Sequence, residues 1–457
     1  MYGTDRSLSA LGEWAASRPF DRAPEPVRRS LRRAVTNLLA VTVGGAMLPE
    51  MRRLRAAWSP AGGPASLIGT DQHVPVEAAI WLNGVAAVVT ERDEGNRYAK
   101  GHPAAQTVPA VLAIAEERAI SGETLWNALF VAYEVAARVG RATEFAPEVH
   151  THGPLGAAGA AAGCALLMGA DADGIARAID AGAAMAPATS WASVHRGAAV
   201  RDQWVGQGAL AGAAGARYAS ADASPGAGGL DGTLAGTLGV VDPDLLVAGL
   251  GDEALVSSSY LKQHSSCAYT HGPADAALRV RDRMMAAGMT PDDIAAVRVE
   301  GVASAASLPA TTWSSRHGAY FSVPFAVASA LRFGDVAVDR AQVPPDPALA
   351  RLAALVSVTD ATSSLSPATP TSRPARVTVH LTDGTSHTAS VRHPDGDAVD
   401  TPFSAERIDG LLTEAVRPAG LTAADVHLAV ELFDDPDPRA LTRALRRLVP
   451  SSQGVSA

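Results

Sequence analysis

Hydrophobic residues in the first half of the chain recur mainly at steps of three and four positions, the spacing of one face of an α-helix. Between residues 124 and 139, one apolar stripe is formed by Leu125, Leu129, Ala132 and Ala136. The same periodicity predicts further helices over residues 26–43, 78–90, 108–119 and 172–185. The run from Leu155 to Ala170 is mostly glycine and alanine and is too short to span a bilayer, so it predicts a closely packed core helix.

The pattern changes in the second half of the chain. Apolar and polar residues alternate over 295–302 and 375–381, as they do in half-buried strands. Asp383-Gly384 follows the second run and is typical of a hairpin turn, which predicts another strand over 388–391.

Helical and irregular segments surround these strands. Residues 325–333 predict a helix that ends at Gly334, and the patch from Ala219 to Gly239, rich in small residues, predicts a loop. After Ser404 the pattern returns to helix. The predicted fold class is mainly α with an α+β part: a large all-helical domain formed by residues 1–257 and 403–457, and a smaller α+β lid domain over 258–402.

Composition narrows the function classes. The chain has 457 residues, 47% hydrophobic and 19% charged, which is typical of a soluble globular protein with a large core. The net charge is -9, whereas nucleic-acid-binding proteins usually carry an excess of basic residues, so the composition does not indicate nucleic-acid binding. The two cysteines indicate no disulfide framework, and the first residues lack the apolar run of a signal peptide. We therefore expect a cytoplasmic protein with no nucleic-acid or membrane partner.

The most distinctive segment is the charged stretch at residues 91–103, which lies between two apolar helices. It holds three carboxylates, three cations and one histidine, namely Glu91, Asp93, Glu94, Arg92, Arg97, Lys100 and His102. Such a stretch is either a solvated loop or the wall of a polar site. We expect Asp93 and Glu94 to be split, one facing the site and one facing solvent.

Two other segments carry chemistry-bearing residues. His150 and His152 precede the glycine- and alanine-rich helix, but their spacing and the lack of a nearby third ligand do not indicate a zinc site. Residues 262–271 are rich in small polar side chains. Cys267 and His271 would share a face if this run is helical, so Cys267 is either a nucleophile paired with histidine or a packed small residue. No phosphate-binding glycine loop follows a strand, and we predict neither a metal nor an organic cofactor.

The order of these motifs resembles the MmgE/PrpD family, which includes 2-methylcitrate dehydratase, cis-aconitate decarboxylase and iminodisuccinate epimerase. The resemblance runs from about residue 8 to about residue 450. Its motifs are Asn83-Gly84, the acidic cluster, His102-Pro103, the alanine-rich helix ending at Glu116, His150 before a small-residue helix, Val200-Arg201 with Gly206, Lys262 with Cys267 and His271, and Phe321-Ser322-Val323-Pro324-Phe325.

The resemblance implies a homodimer with a helical domain and an α+β lid, acting on small carboxylates without a metal or organic cofactor. Family members remove a proton next to a carboxylate or carbonyl, and then lose water or CO2 or return the proton on the other face. This chemistry needs a base, an acid and cations that stabilise the enolate-like charge. We predict catalytic roles for His102, His150, Lys262, Asp93 and Cys267. We predict substrate-binding roles for Arg201, Glu91, Glu94, Lys100, His271 and Arg316.

The chain also departs from the family pattern. It has Glu91-Arg92-Asp93-Glu94-Gly95 where dehydratase-like members carry an Asp-Phe-Asp-Asp-Thr-like run, and Cys267 where some decarboxylase-like members have histidine. Arg201 stands at a position where lysine is usual. Arginine does not readily lose a proton, so it favours bidentate carboxylate binding over proton transfer. We therefore expect a substrate other than 2-methylcitrate or cis-aconitate.

These features predict a cofactor-independent lyase, a dehydratase or decarboxylase of a small carboxylic acid, in a specialised bacterial pathway. Three alternatives stay open at this stage: an isomerase or epimerase on the same scaffold, an acyl-transfer or cyclising enzyme that depends on Cys267, and a ligand-binding protein that has lost catalysis. The residues alone do not identify the substrate or separate these reactions.

Overall fold

A computed structural model describes residues 3–59, 61–223, 228–367, 369 and 372–450. The chain divides into two compact units. The first comprises the described parts of 1–191, 200–261 and 404–457, and the second comprises 192–199 and the described parts of 262–403. The grouping of 192–199 with the second unit was not predicted from the sequence.

The described residues are largely helical. In chain order the α-helices are α1 (Asp5–Ala16), α2 (Glu25–Ala46), α3 (Pro49–Trp58), α4 (Val76–Val88), α5 (Pro103–Glu117), α6 (Gly122–Ala142), α7 (Pro154–Leu167), α8 (Ala172–Ala184), α9 (Trp191–His195), α10 (Val200–Ser220), α11 (Pro243–Val247), α12 (His271–Ala286), α13 (Ala303–Ala306), α14 (Arg316–Tyr320), α15 (Val323–Phe333), α16 (Pro347–Ala354), α17 (Thr362–Leu365), α18 (Ala405–Val416), α19 (Ala423–Glu431) and α20 (Ala440–Arg446). The strands are β1 (Ala65–Ser66), β2 (His73–Val74), β3 (Gly95–Asn96), β4 (Thr143–Phe145), β5 (Gly239–Val241), β6 (Ser259–Tyr260), β7 (Ile294–Gly301), β8 (Val356–Asp360), β9 (Ala375–Leu381) and β10 (Ser386–Val391).

Helix α7 lies at the centre of the first unit, packed against α5, α6, α8 and α10. Its glycines allow this close packing. A Cβ added at Gly159 would lie 2.5 Å from the main-chain oxygen of Ala132 on α6, and one at Gly163 would lie 2.7 Å from that of Ala128. The predicted core helix is therefore confirmed, and its small residues let neighbouring backbones approach closely enough to exclude solvent from the helix.

The second unit is built around a four-stranded sheet in the order β10-β9-β7-β8. Strands β7 and β8 are parallel, and the other pairs are antiparallel. The β9–β10 hairpin turns at Asp383-Gly384, where Gly384 has a φ of +86° that glycine adopts without strain. Helix α12 packs on β9 and β10 and against α15. Large helical and smaller α+β parts confirm the predicted fold class.

One sequence-based expectation is wrong. The patch predicted as loop over 219–239 contains the end of α10 and a π-helix at Gly229–Leu238, while residues 224–227 lie outside the described part of the chain. The carboxylate of Asp180 anchors the start of the π-helix, since it accepts the backbone N–H groups of Gly228, Gly229 and Leu230. Within the described ranges, no single helix has both the length and the hydropathy needed to cross a membrane.

Candidate functional site

Most of the charged stretch of the first unit is buried; of its residues, only Tyr98 and Lys100 are exposed. Glu91, Asp93 and Glu94 are each exposed by 1% or less. The expectation that Asp93 and Glu94 would be split between site and solvent is therefore wrong. The reason is that both carboxylates have buried partners: Asp93 lies against His102, and Glu94 accepts a 2.5 Å hydrogen bond from the Tyr133 hydroxyl.

Glu94 holds a proton at neutral pH. Burial raises the pKa of its carboxyl to about 8, and the nearby Asp93 adds a smaller rise. Hydrogen bonds from the Tyr133 hydroxyl and from the backbone N–H of Ala104, at 3.3 Å, act in the opposite direction. Burial also raises the pKa of Tyr133 well above its usual value. The pair is thus uncharged near pH 7, because the neutral forms have the lower free energy when both groups are removed from water.

His102 stands at the start of α5 and has a defined tautomer. Its Nδ1 lies 2.7 Å from the main-chain oxygen of Glu94 and 2.9 Å from Oδ2 of Asp93. A carbonyl oxygen only accepts, so Nδ1 carries the hydrogen and donates it. In the neutral ring, Nε2 is then the nitrogen with an available lone pair. A histidine oriented in this way by a carboxylate and a carbonyl suits general base catalysis.

Three imidazoles form a continuous row. The ring of His152 lies edge-on to that of His102, with centroids 4.8 Å apart, and edge-on to that of His150, at 4.5 Å. His150 also packs against Trp191, at 4.4 Å. Its Nδ1 accepts the backbone N–H of His152 at 3.1 Å, so in this hydrogen bond a neutral His150 carries its hydrogen on Nε2. Sequence reasoning favoured His150 over His152, yet His152 is the ring in contact with both others.

Arg201 completes this buried cluster from α10. Its guanidinium is 1% exposed and pairs with Glu91 and with Asp202, the latter at 3.0 Å. Nη2 also lies 3.4 Å from Nε2 of His152. Burial alone would lower the pKa of Arg201, but the carboxylates of Glu91 and Asp202 outweigh it and raise the pKa. Carboxylates of the protein itself therefore hold this arginine, and its predicted contact with a substrate carboxylate stays a prediction.

Lys100 lies apart from this cluster, although it belongs to the same charged stretch. Its side chain is 41% exposed, and Nζ donates to the Thr143 main-chain oxygen at 2.9 Å and pairs with Glu144 at 3.2 Å. The structure thus gives Lys100 a surface contact with β4. Lys100 has a φ of +54°, and its neighbours Ala99 and Gly101 are buried, so only the Lys100 side chain leaves the buried part of the stretch at this point.

The remaining predicted residues, Lys262, Cys267, His271 and Arg316, lie in the second unit. Lys262 is buried, and the backbone N–H of Cys267 donates to the Tyr320 main-chain oxygen at 2.9 Å. Arg316 begins α14 and donates to the Val338 oxygen at 3.0 Å.

His271, at the start of α12, stays neutral near pH 7. Its Nε2 donates to the Ser266 main-chain oxygen at 3.2 Å. Burial lowers the pKa of His271 well below its usual value, and the charges of His264 and Lys262 lower it further. A neutral His271 and a buried Lys262 therefore belong to one polar cluster of the second unit.

Sequence reasoning missed His264, which belongs to that cluster. Its Nε2 donates to Oδ1 of Asp275 at 2.8 Å, and both side chains are buried. The ring also lies edge-on to that of His271, with centroids 5.0 Å apart. The available signal was the concentration of polar residues in 262–271, but the partner on α12 is visible only in three dimensions.

Each unit holds elements of proton-transfer chemistry. The first unit holds oriented imidazoles beside carboxylates and a guanidinium, and the second holds a buried lysine beside a neutral histidine. Among the described residues, no group of three or more His, Cys, Asp or Glu side chains is arranged to hold a metal ion.

Comparison with known families accounts for most of the chain. Residues 9–243 match the MmgE/PrpD N-terminal domain, and residues 264–417 match the MmgE/PrpD C-terminal domain. A comparison with curated proteins gives no match. The two matches include every predicted site residue except Lys262, which lies between the two matched ranges. This protein belongs to the MmgE/PrpD family.

Proposed function

We propose that this protein is a cofactor-independent lyase, a dehydratase or decarboxylase, that acts by removing a proton next to a carboxylate or carbonyl of a small carboxylic acid. Members of the family are generally enzymes of a dehydratase-like or lyase-like kind, which supports the assignment of this protein as an enzyme of that general class. The observation that carries the finer proposal is the orientation of His102. Because Nδ1–H is committed to the Glu94 oxygen, the neutral ring presents Nε2 as a base.

In the proposed dehydration, Nε2 of His102 takes the proton from the carbon next to the carboxylate. The electron pair of that C–H bond forms the new double bond, and the C–O bond on the neighbouring carbon breaks. The leaving hydroxide takes a proton from an acid and departs as water. Lys262 is our candidate for stabilising the enolate-like charge, because an ammonium is a compact cation with three donors.

In the proposed decarboxylation, the C–C bond to the carboxylate breaks instead. The electron pair stays on the carbon as CO2 leaves. That carbon then takes a proton from an imidazole that enters the reaction protonated, so in this reaction the histidine acts as the acid and no C–H bond breaks. The row of His102, His152 and His150 favours a second candidate, an isomerase or epimerase. Such an enzyme removes a proton and returns one to the other face, so it needs several proton carriers and no leaving group.

One experiment separates these reactions. The protein is incubated in D2O with a panel of small di- and tricarboxylic acids, and 1H NMR and alkene absorbance are followed together. An alkene product supports the dehydratase, and release of CO2 supports the decarboxylase. Deuterium entering next to the carboxylate without net conversion supports the isomerase. Absence of both exchange and conversion across the panel contradicts the proposal.

We also propose that the protein works as a cytoplasmic homodimer, as the family resemblance implies. Light scattering of the purified protein tests the assembly, since the chain has a mass of 46.7 kDa. A mass of one chain at working concentrations contradicts the dimer.

A further inference from the structure

Gln106 connects the two elements that carry the imidazoles. It lies one turn after His102 on α5, and its backbone N–H donates to the His102 main-chain oxygen at 3.3 Å. The side chain is fully buried, and its Oε1 accepts the backbone N–H of Gly153 at 2.6 Å. An N–H group only donates, so the amide oxygen must point towards Gly153. Gln106 thus bonds directly to the residue that follows His152.

The turn from His150 to Gly153 is fixed on its other sides by close packing. Gly153 has a φ of +99°, and a Cβ there would lie 2.7 Å from the main-chain oxygen of Trp204. The backbone N–H of His152 is held by Nδ1 of His150 at 3.1 Å. Gly153 therefore cannot move towards α10, and the Gln106 oxygen prevents it from moving away from α5. The position of this short backbone segment decides where the rings of His150 and His152 lie.

We propose that Gln106 is a positioning residue for the imidazole row. By joining α5 to the His150–Gly153 turn, its amide oxygen sets the separation between the ring of His102 and that of His152. This inference rests on the proposed function, in which these rings transfer protons. Misplacement of reacting groups by about 1 Å costs up to about 100-fold in rate, so a hydrogen bond that fixes ring separation has a catalytic effect.

The test compares two Gln106 variants, with a third in reserve, and one control variant. Gln106→Met fills a similar volume without an acceptor, and Gln106→Leu serves if the methionine variant does not fold. Gln106→Glu keeps an oxygen for the Gly153 N–H, and it breaks no other side-chain hydrogen bond, because Nε2 has no partner among the described residues. Asn127→Leu is the matched control. Asn127 is also buried and its Oδ1 accepts the Phe20 N–H at 3.0 Å, but it lies on α6 beside Phe20 and Trp126.

The readouts are the ¹³Cε1–H NMR signals of the 12 histidines and, for the substrate found in the carboxylate panel, kcat and KM. We expect Gln106→Met to shift the His150 and His152 signals and to lower kcat about tenfold, with KM nearly unchanged. Gln106→Glu should return the signals towards their wild-type positions. Asn127→Leu should lower the melting temperature and leave the histidine signals in place.

Unchanged His150 and His152 signals in folded Gln106→Met overturn the positioning role, whatever the wild-type protein catalyses. The same holds if Gln106→Met and Asn127→Leu behave alike in every readout, since a merely structural role predicts that result. If the signals shift and Gln106→Glu restores them, but no acid in the panel reacts with the wild type, the positioning of the rings stands and the proposed function fails.

Discussion

The Nδ1 atom of His102 lies 2.7 Å from the main-chain oxygen of Glu94, and this contact links the charged stretch to the start of α5. Glu94 uses its backbone to orient His102 and its side chain to bond the Tyr133 hydroxyl. The same residue therefore fixes the tautomer of the candidate base and holds a buried proton next to it. Each of these two properties leads to a separate measurement.

Replacing His102 tests the candidate base. Asparagine can still donate an N–H towards the Glu94 oxygen but offers no nitrogen with a lone pair, so His102→Asn should remove proton transfer and keep the fold. We expect proton exchange or turnover of the substrate to fall by about 100-fold or more. His427→Gln is the control, because His427 forms an exposed pair with Asp409 at 2.8 Å. Equal exchange rates in both variants would place the base elsewhere.

The buried proton of Glu94 should make stability depend on pH. Its pKa is about 8 in the folded protein and ordinarily 4.5. Below pH 4.5 the group is protonated in both states and has no effect. Between pH 4.5 and 8 the unfolded chain releases the proton while the folded chain keeps it, so stability falls as pH rises. The gap between the two pKa values corresponds to about 5 kcal/mol of unfolding free energy. Above pH 8 the folded protein has lost this whole contribution relative to its stability below pH 4.5.

Urea unfolding at several pH values between 5 and 9 measures this dependence. Glu94→Gln cannot ionise, so we expect a flatter decline in the free energy of unfolding and higher stability at pH 8. Glu134, whose pKa burial also raises, should maintain part of the slope. Glu414 is a control with the opposite pKa shift. Burial raises the pKa of Glu414, but Arg92 and Arg407 outweigh burial and hold this pKa below the usual value. Glu414→Gln should therefore lower stability at neutral pH.

Cys267 tests the covalent alternative. The Nε2 atom of His271 donates to the Ser266 oxygen, so that nitrogen is not available to take a proton from the thiol. We expect the activity and the melting temperature of Cys267→Ser to stay close to those of the wild type. Serine has a similar volume, and the hydrogen bond from the backbone N–H of residue 267 to the Tyr320 oxygen is retained. Loss of activity in Cys267→Ser, together with an acyl adduct in the intact mass of the wild type, would instead support acyl transfer.

Local sequence pattern was sufficient for most of the fold. The strand predicted over 375–381 is β9, and the Asp383-Gly384 turn follows it, because alternation and turn chemistry depend on neighbouring residues. The π-helix at Gly229–Leu238 was missed because its anchor, Asp180, lies about fifty residues earlier in the chain. Periodicity does not encode a partner at that distance.

The candidate site shows the same limit. One of Asp93 and Glu94 was expected to face solvent, but both are buried; Glu94 bonds the Tyr133 hydroxyl, and the neighbouring Glu91 pairs with Arg201. Both partners come from other helices, α6 and α10. Likewise, His150 was ranked above His152 because it matches the family motif, and that motif carries no information about which ring contacts His102. Residue types at helix ends thus indicated where polar chemistry lies, and long-range packing determined how each group is oriented.

The last prediction concerns the buried pair of Arg201 and Glu91. If the arginine mainly neutralises Glu91 and Asp202, then Arg201→Met removes a buried cation from beside two buried carboxylates and should lower the free energy of unfolding by about 3–5 kcal/mol. Arg201→Lys keeps the charge but loses the planar fork, so the loss should be about 1–2 kcal/mol. Urea unfolding of the three proteins gives these differences.

A double-mutant cycle with Glu91→Gln identifies the partner. Adding Glu91→Gln to Arg201→Met removes one of the two buried carboxylate charges that the arginine neutralised, so the double variant should be more stable than Arg201→Met alone. If the arginine instead binds a substrate carboxylate, Arg201→Lys should raise KM by about tenfold or more while stability stays near wild type. Because Arg201 is 1% exposed and already pairs with two carboxylates of the protein, we expect the loss of stability to be the larger effect.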